Sequence, residues 1–250
     1  LHTKVGLKFQ SFTEHFYSKL LPNPITMSKT MISYSSITKK IIMALAGLFL
    51  VSFLLVHLSI NILVLFDDTF ELFNQAGHFM VTNPVIQTIQ WVLFFGFILH
   101  IILGVIIQIQ NWLARPKRYD KKYPSEMSFF SKYMIHTGAI VFIFLIIHFA
   151  NFFIKLKFGN VESITYESGT YDNMGQMVYN LFKDGAYVVF YIVALLLLGF
   201  HLDHGIQSAF QSLGLNHTVY TPVIKLIGRL LAIFITLGFI AIPLVIYFFK

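Results

Sequence analysis

The 250-residue sequence contains no cysteine. That removes disulfides, thiolate zinc sites, protein-held iron–sulfur clusters and thioether-attached haem from the chemistry open to the chain. Charge is scarce too: Asp, Glu, Lys and Arg make up 12% of the residues, against about 25% in an ordinary soluble domain. Acids are the scarcer sign, 11 against 18 Lys and Arg. A water-soluble globule, a disordered chain and a nucleic-acid-binding domain are all poor fits. The net charge of +7 sits on a chain that is 56% hydrophobic, and in a membrane protein such an excess reports topology. No lysine lies mid-way along an apolar run, which excludes a retinal Schiff base, and no glycine-rich phosphate loop precedes a helix. Any redox group held here must rest mainly on the ten histidines.

Five apolar runs, 41–66, 85–113, 133–156, 186–210 and 223–249, reach the length of a spanning helix, about 20 residues at ~1.5 Å each. They are continuously apolar rather than alternating, so helices and not barrel strands are expected. The fold class is all-α, an integral membrane bundle of five helices. Fourteen of the basic residues fall on the side of the N-terminus and of the 115–131 loop. By the positive-inside rule that side is cytoplasmic, the N-terminus with it. The opposite loops carry Asp67, Asp68, Glu71, Glu162, Glu167, Asp172 and Asp184.

Residues 1–36 form a cytoplasmic N-terminal segment and 37–250 the membrane domain. Residues 1–26 lack the apolar core of a signal peptide. They read either as a stretch upstream of a native start at Met27 or as a cytoplasmic tail. No internal repeat of fixed period stands out. The basic loop 115–131, with Pro116 and Pro124, reads as an exposed face where a partner docks.

His57, His100, His148 and His201 fall one on each of the first four spans, and the fifth has none. Ionisable side chains inside a bilayer are costly and mark function. Counted inward from the outer loops at ~1.5 Å per residue, His57 and His148 lie ~10–15 Å deep and His100 and His201 ~24–26 Å deep. The deep pair has glycine at i+4, Gly104 and Gly205, on the histidine's own helix face, leaving room for a flat group. The shallow pair has Asn61 and Asn151 nearby instead. Two facing imidazoles at each of two depths make two bis-histidine sites, suited to haem iron, whereas zinc or copper asks for three or four ligands. With no cysteine, both haems are of the non-covalent b type. His204 shares a face with His201, but one H-x-x-H pair falls short of a di-iron desaturase. His78 and His136 sit near span ends, and His2, His15 and His217 are expected to be exposed.

In order along the chain, Val56-His57-Leu58, Phe70-Glu71-Leu72-Phe73-Asn74, His78-Phe79-Met80, His100 with Gly104, His148, and Phe200-His201-Leu202-Asp203-His204-Gly205 resemble the membrane anchor of succinate–quinone oxidoreductases, the five-helix, di-haem cytochrome b class. The resemblance covers roughly 37–249. It implies that His57 and His148 ligate a distal haem and His100 and His201 a proximal one, nearer the catalytic subunits. It implies a flavoprotein and an iron–sulfur subunit as partners on the cytoplasmic side of a bacterial inner membrane. The quinone, menaquinone for this class, would exchange electrons near the distal haem, and Gln207, Gln211, Lys225 and Arg229 are available to the haem propionates. Glu71 is then the candidate for proton transfer to the quinone, with His78 and Asn74 as hydrogen-bond donors. A carboxyl beside an apolar quinone pocket is expected to have a raised pKa. The di-haem anchor of a hydrogenase or nitrate reductase, and a haem-free scaffold, are the alternatives.

Overall fold

The structure is a computed structural model that describes residues 24–113, 133–159 and 161–250, with side chains from residue 37 onward. Residues 1–23 and the basic loop expected to dock a partner lie outside the described residues. Five helices are long and apolar enough to cross a membrane: Ile37–Leu65, Pro84–Leu113, Met134–Phe158, Gly185–Ser212 and Tyr220–Phe249. These are the five expected spans, each differing from the sequence reading by four residues or fewer at either end.

In chain order, α1 (Pro24–Asn61) ends in a 3-10 turn (Ile62–Leu65), followed by the short helix α2 (Glu71–Thr82) and the second span α3 (Pro84–Leu113). The third span is α4 (Met134–His148), a π-helical turn (Phe149–Phe153) and α5 (Ile154–Phe158). A hairpin of β1 (Ser163–Tyr166) and β2 (Gly169–Asp172) leads into α6 (Met174–Phe182), and the spans α7 (Gly185–Ser212) and α8 (Tyr220–Phe249) complete the chain. The hairpin is antiparallel, with Ser163 opposite Asp172 and Tyr166 opposite Gly169. Gly169 takes a positive φ of 140° as the chain leaves the two-residue turn.

Broad apolar faces of the spans are exposed, among them Trp91, Phe95, Ile98, Ile143, Phe234 and Leu237. A chain whose solvent is lipid needs no polar cover there. The buried core is concentrated at one end. Leu58, Val64, Phe70, Phe73, Met174, Val178, Phe182, Val188, Tyr191, Ile242 and Ile246 form one cluster that joins the spans to α2 and α6. The short helices and the hairpin therefore cap the end of the bundle that the sequence reading assigns to the outside. The fifth span lies against the fourth. Small residues allow the approach: a Cβ on Gly199 would meet Thr236, and one on Gly228 would meet Ile206.

The cap is held by specific bonds. Asn74 is wholly buried. Its Nδ2 donates to Tyr166 Oη at 3.0 Å and Asn173 Oδ1 at 3.4 Å, and its Oδ1 accepts from Gly175 N at 2.8 Å. Phe70 enters α2 in the left-handed region, with φ 61°. It is buried against Gly175, and Lys250 Nζ lies 5.3 Å from its ring centre. Asp67 accepts from the free N–H groups of Glu71 at 3.1 Å and Leu72 at 3.3 Å at the start of α2.

The first four spans form two matching halves, each a span, a short helix and a second span, although no repeat of fixed period stands out in the sequence. Met43, Gly47, Phe53 and His57 recur at 134, 138, 144 and 148, each 91 residues on. His100 and Gly104 recur at 201 and 205, each 101 residues on. The two offsets differ, so no single period exists for a sequence scan to find. The contacts repeat with the residues. Phe53 stacks on His57 at 5.2 Å and Phe144 on His148 at 5.6 Å.

Two expected outcomes test the cap. Gly175→Ala should destabilise the protein by about 1–3 kcal/mol, because the added Cβ overlaps the Phe70 Cβ. Gly77→Ala meets only the flexible Met174 thioether and should cost less; thermal unfolding in detergent ranks the two. Slight burial of Asp67 opposes ionisation, but its bonds from Thr69 and from the backbone of Leu72, Glu71 and Phe70 outweigh this and hold the carboxyl below its usual value. Its contribution is thus complete above the ordinary carboxylate range and lost as pH falls through the lowered value. Protease accessibility of the cap should rise in acid, and Asp67→Asn should remove part of that step.

Candidate functional site

The four span histidines meet in two pairs. His57 and His148, from spans one and three, have ring centres 5.8 Å apart with their planes at 86°. His100 and His201, from spans two and four, are 6.3 Å apart at 68°. These are the pairs given by depth along the sequence. Gly47 of span one lies beside His100 of span two, and Gly138 of span three beside His201 of span four. Each glycine is ten residues before the histidine of its own span, so the levels are separated by about 15 Å.

The surroundings hold each ring in place. Asn61 Nδ2 donates to His57 O at 2.7 Å and lies 3.3 Å from His57 Nδ1. Tyr191 Oη is 3.5 Å from His148 Nδ1, and Thr137 Oγ1 is 3.4 Å from His201 Nδ1. A hydroxyl on Nδ1 fixes the ring and leaves Nε2 for a metal. His100 buries its Nδ1 with no hydrogen-bond partner among the described residues. Buried polar atoms are normally paired, so the unpaired one marks a ring that the protein alone leaves incomplete. Aromatic rings fill the rest of the outer level: Phe53 and Phe239 on His57, Phe144 and Phe152 on His148. Phe239 comes from the fifth span, which lacks histidine and still builds the site.

The donor set fits a metal held between two imidazoles. With nitrogen–metal distances of about 2 Å on each side, the ring centres fall roughly 6 Å apart. Among the described residues no group of three or more His, Cys, Asp or Glu side chains forms a metal cluster; each pair would offer a metal two imidazole nitrogens. Four glycines surround the deep pair. Met43 packs toward Gly104 and Met134 toward Gly205, both through the flexible end of the thioether, while Gly47 and Gly138 lie against the imidazoles themselves. A Cβ there would lie 3.5 Å from His100 Cε1 and 3.3 Å from His201 Cε1 respectively. The sequence reading missed both. Their shared ten-residue spacing to the next histidine was the available signal.

The remaining candidates fall elsewhere. Glu71 accepts from Ser168 Oγ at 2.5 Å and Gln75 Nε2 at 3.0 Å, tying α2 to the hairpin. Asn74 spends both amide hydrogens and its oxygen inside the cap, as described above. His78 sets its ring edge against Tyr171, centres 5.3 Å apart. At the other end, Asp203 accepts from Gln207 Nε2 at 2.7 Å and lies 3.6 Å from Arg229 Nε. Gln207 and Arg229 are thereby gathered within two turns of His201. His136 packs edge-on to Tyr133.

No protein-family model, no curated protein and no solved structure matches this chain.

Bulk added at Gly138 would displace the His201 ring it lies against and should act on one level alone. Gly138→Leu is expected to abolish the binding of a flat metal group at the His100–His201 level and to leave the His57–His148 level loaded. Absorbance on titrating haem into the purified protein reads this: the wild type should saturate at about twice the stoichiometry of the variant.

Proposed function

We propose that the chain is the membrane anchor and electron-transfer subunit of a succinate:quinone oxidoreductase, carrying two b haems in a bacterial inner membrane. The observation that supports this best is the pair of facing imidazoles at each of two levels, with ring centres 5.8 and 6.3 Å apart. In this reading His57 and His148 hold one haem and His100 and His201 the other. Each haem, when bound, would supply a one-electron redox centre.

The chain's own residues do the rest. Tyr191 and Thr137 orient the ligating rings through Nδ1. Phe53, Phe144, Phe152 and Phe239 exclude water from the outer level, and Gly47 and Gly138 leave space for the His100 and His201 rings. Gln207 and Arg229 sit where they can meet the anionic edge of the deep group, Arg229 being exposed and free to turn from Asp203. The flavoprotein and iron–sulfur partners bring the dicarboxylate chemistry and dock on the basic, cytoplasmic side. The anchor holds no succinate site. A membrane quinone exchanges electrons at the outer level, taking two electrons and two protons to become the quinol.

A pyridine haemochrome assay should give about two b haems per polypeptide, and a ratio of one or zero would overturn the reading. His57→Ala and His148→Ala should remove the same spectral component, and His100→Ala and His201→Ala the other. Loss of one shared component in His57→Ala and His100→Ala would break the pairing. Affinity purification of the tagged chain from its native membrane should bring down a flavoprotein with succinate dehydrogenase activity toward artificial dyes.

A further inference from the structure

The short helix α2 has three faces, and the described residues account for two of them. Phe73, Asn74 and Gly77 are buried in the cap. Glu71, Gln75 and His78 face the hairpin. Gln75 Nε2 donates to Ser168 Oγ at 2.8 Å, Glu71 accepts from the same hydroxyl, and the His78 ring sets its edge against Tyr171. The third face carries Leu72, Ala76 and Phe79, at positions i, i+4 and i+7 of one helical stripe. Leu72 is 49% exposed and Phe79 56%, and no charged residue shares their face. An apolar stripe at this spacing ordinarily meets a core, but about half of each large side chain here is left uncovered.

Two observations say what covers that face. The first is its continuity with the membrane spans. Asn83, a single extended residue with φ −70° and ψ 123°, separates α2 from α3. The exposed apolar side chains resume at once with Val85, Ile89 and Val92 of α3, and Phe66 is exposed just before α2. The spans on either side of α2 have 29 and 30 residues, about 45 Å of helix against a hydrocarbon core of about 30 Å, so their ends reach the headgroup layer. The second is the behaviour of the polar side chains at this corner. Thr82 Oγ1 donates to His78 O at 2.7 Å, Gln87 Nε2 to Val81 O at 2.5 Å and Thr88 Oγ1 to Pro84 O at 2.9 Å. All three residues are exposed, yet each spends a hydrogen on a backbone carbonyl, as polar groups do where water is scarce.

We infer that α2 is an interfacial membrane helix, with its Leu72–Ala76–Phe79 face resting in the boundary between lipid headgroups and acyl chains. The cap is then seated on the bilayer surface rather than standing clear of it in water. The hairpin occupies the polar flank of α2 and so fixes which face turns to the lipid. The attraction is apolar: α2 contains no Lys or Arg, so it has no means of selecting anionic lipid, unlike interfacial helices with a basic face. The inference goes beyond the electron-transfer reading and does not depend on any bound group.

The absence of cysteine lets single nitroxide labels be placed on the full chain in phosphatidylcholine nanodiscs. Labels at Leu72→Cys, Ala76→Cys and Phe79→Cys should collide more with dissolved oxygen than with water-soluble nickel ethylenediamine diacetate. A label at Glu167→Cys, in the hairpin turn, should show the reverse, the two ratios differing by about fivefold or more. The ratios on α2 should not change when phosphatidylglycerol is mixed into the bilayer. A ratio at Leu72 and Phe79 equal to that at Glu167 places the face in water and overturns the inference. Low accessibility to both reagents places it under protein, a second copy or another chain, and overturns it as well. One arm needs no variant. A phosphatidylcholine with a diazirine at the start of its acyl chain, photoactivated around the wild-type protein, should label residues 72–79. Label on the spans with none on α2 overturns the inference.

Discussion

An imidazole inside a hydrocarbon slab has nowhere to find water, and each of its nitrogens left bare costs about 1–3 kcal/mol. Four such rings, placed mid-span, dictate how this bundle can be put together. Each must face inward, which fixes the rotation of its helix. Each meets a second ring across the bundle axis, which sets the distance between opposite helices. The spans that carry one pair then need small residues beside the other pair, because a ring projecting from a neighbour occupies that space. Gly47 beside His100 and Gly138 beside His201 follow from this requirement. So do the phenylalanines that stack on His57 and His148 one turn away, since apolar rings can close around an imidazole without adding a second unsatisfied group.

Much of this was legible in the sequence because the signals were long or sparse. Twenty or more apolar residues have one reading in a protein, and four histidines in four spans leave few ways to pair. Counting residues inward from the outer loops was enough to sort His57 with His148 and His100 with His201. Short elements left weaker traces. The hairpin strands have four residues each, too few for alternation to stand out in a polar loop. Asn74 reads as a polar residue free to serve a ligand, but the sequence cannot say that Tyr166, Asn173 and Gly175, 92 to 101 residues away, will use up its amide. The π turn after His148 depends on packing rather than on any residue type. It was invisible except as the one-residue difference between His57…Asn61 and His148…Asn151.

The repeated halves show how packing can preserve a pattern that spacing hides. The first half takes 43 residues from His57 to His100 and the second takes 53 from His148 to His201, so the offsets become 91 and 101. Loop length is cheap to vary. The intramembrane contacts are not, because shifting a glycine by one position swings it about 100° around the helix and away from the ring it accommodates. The same logic explains why Met43 and Met134 recur. Each extends a flexible thioether toward a glycine on the neighbouring span, filling space without a polar atom that would ask for a partner.

Two identical halves would treat the two levels alike and leave little to distinguish one end of the bundle from the other. The chain departs from that equivalence in specific places. Near the deep pair, Asp203, Gln207 and Arg229 add polar groups one to two turns beyond His201, with no counterpart after His100, where the run is Ile, Leu, Gly and Val. At the capped end the core is the most extensive among the described residues, and the two halves differ there at one amide. Asn61 bonds its own helix at His57 O; Asn151, displaced by the π turn, meets instead the Tyr191 hydroxyl that lies 3.5 Å from His148 Nδ1. The same residue type therefore steadies one imidazole through its own backbone and the other through a neighbouring span.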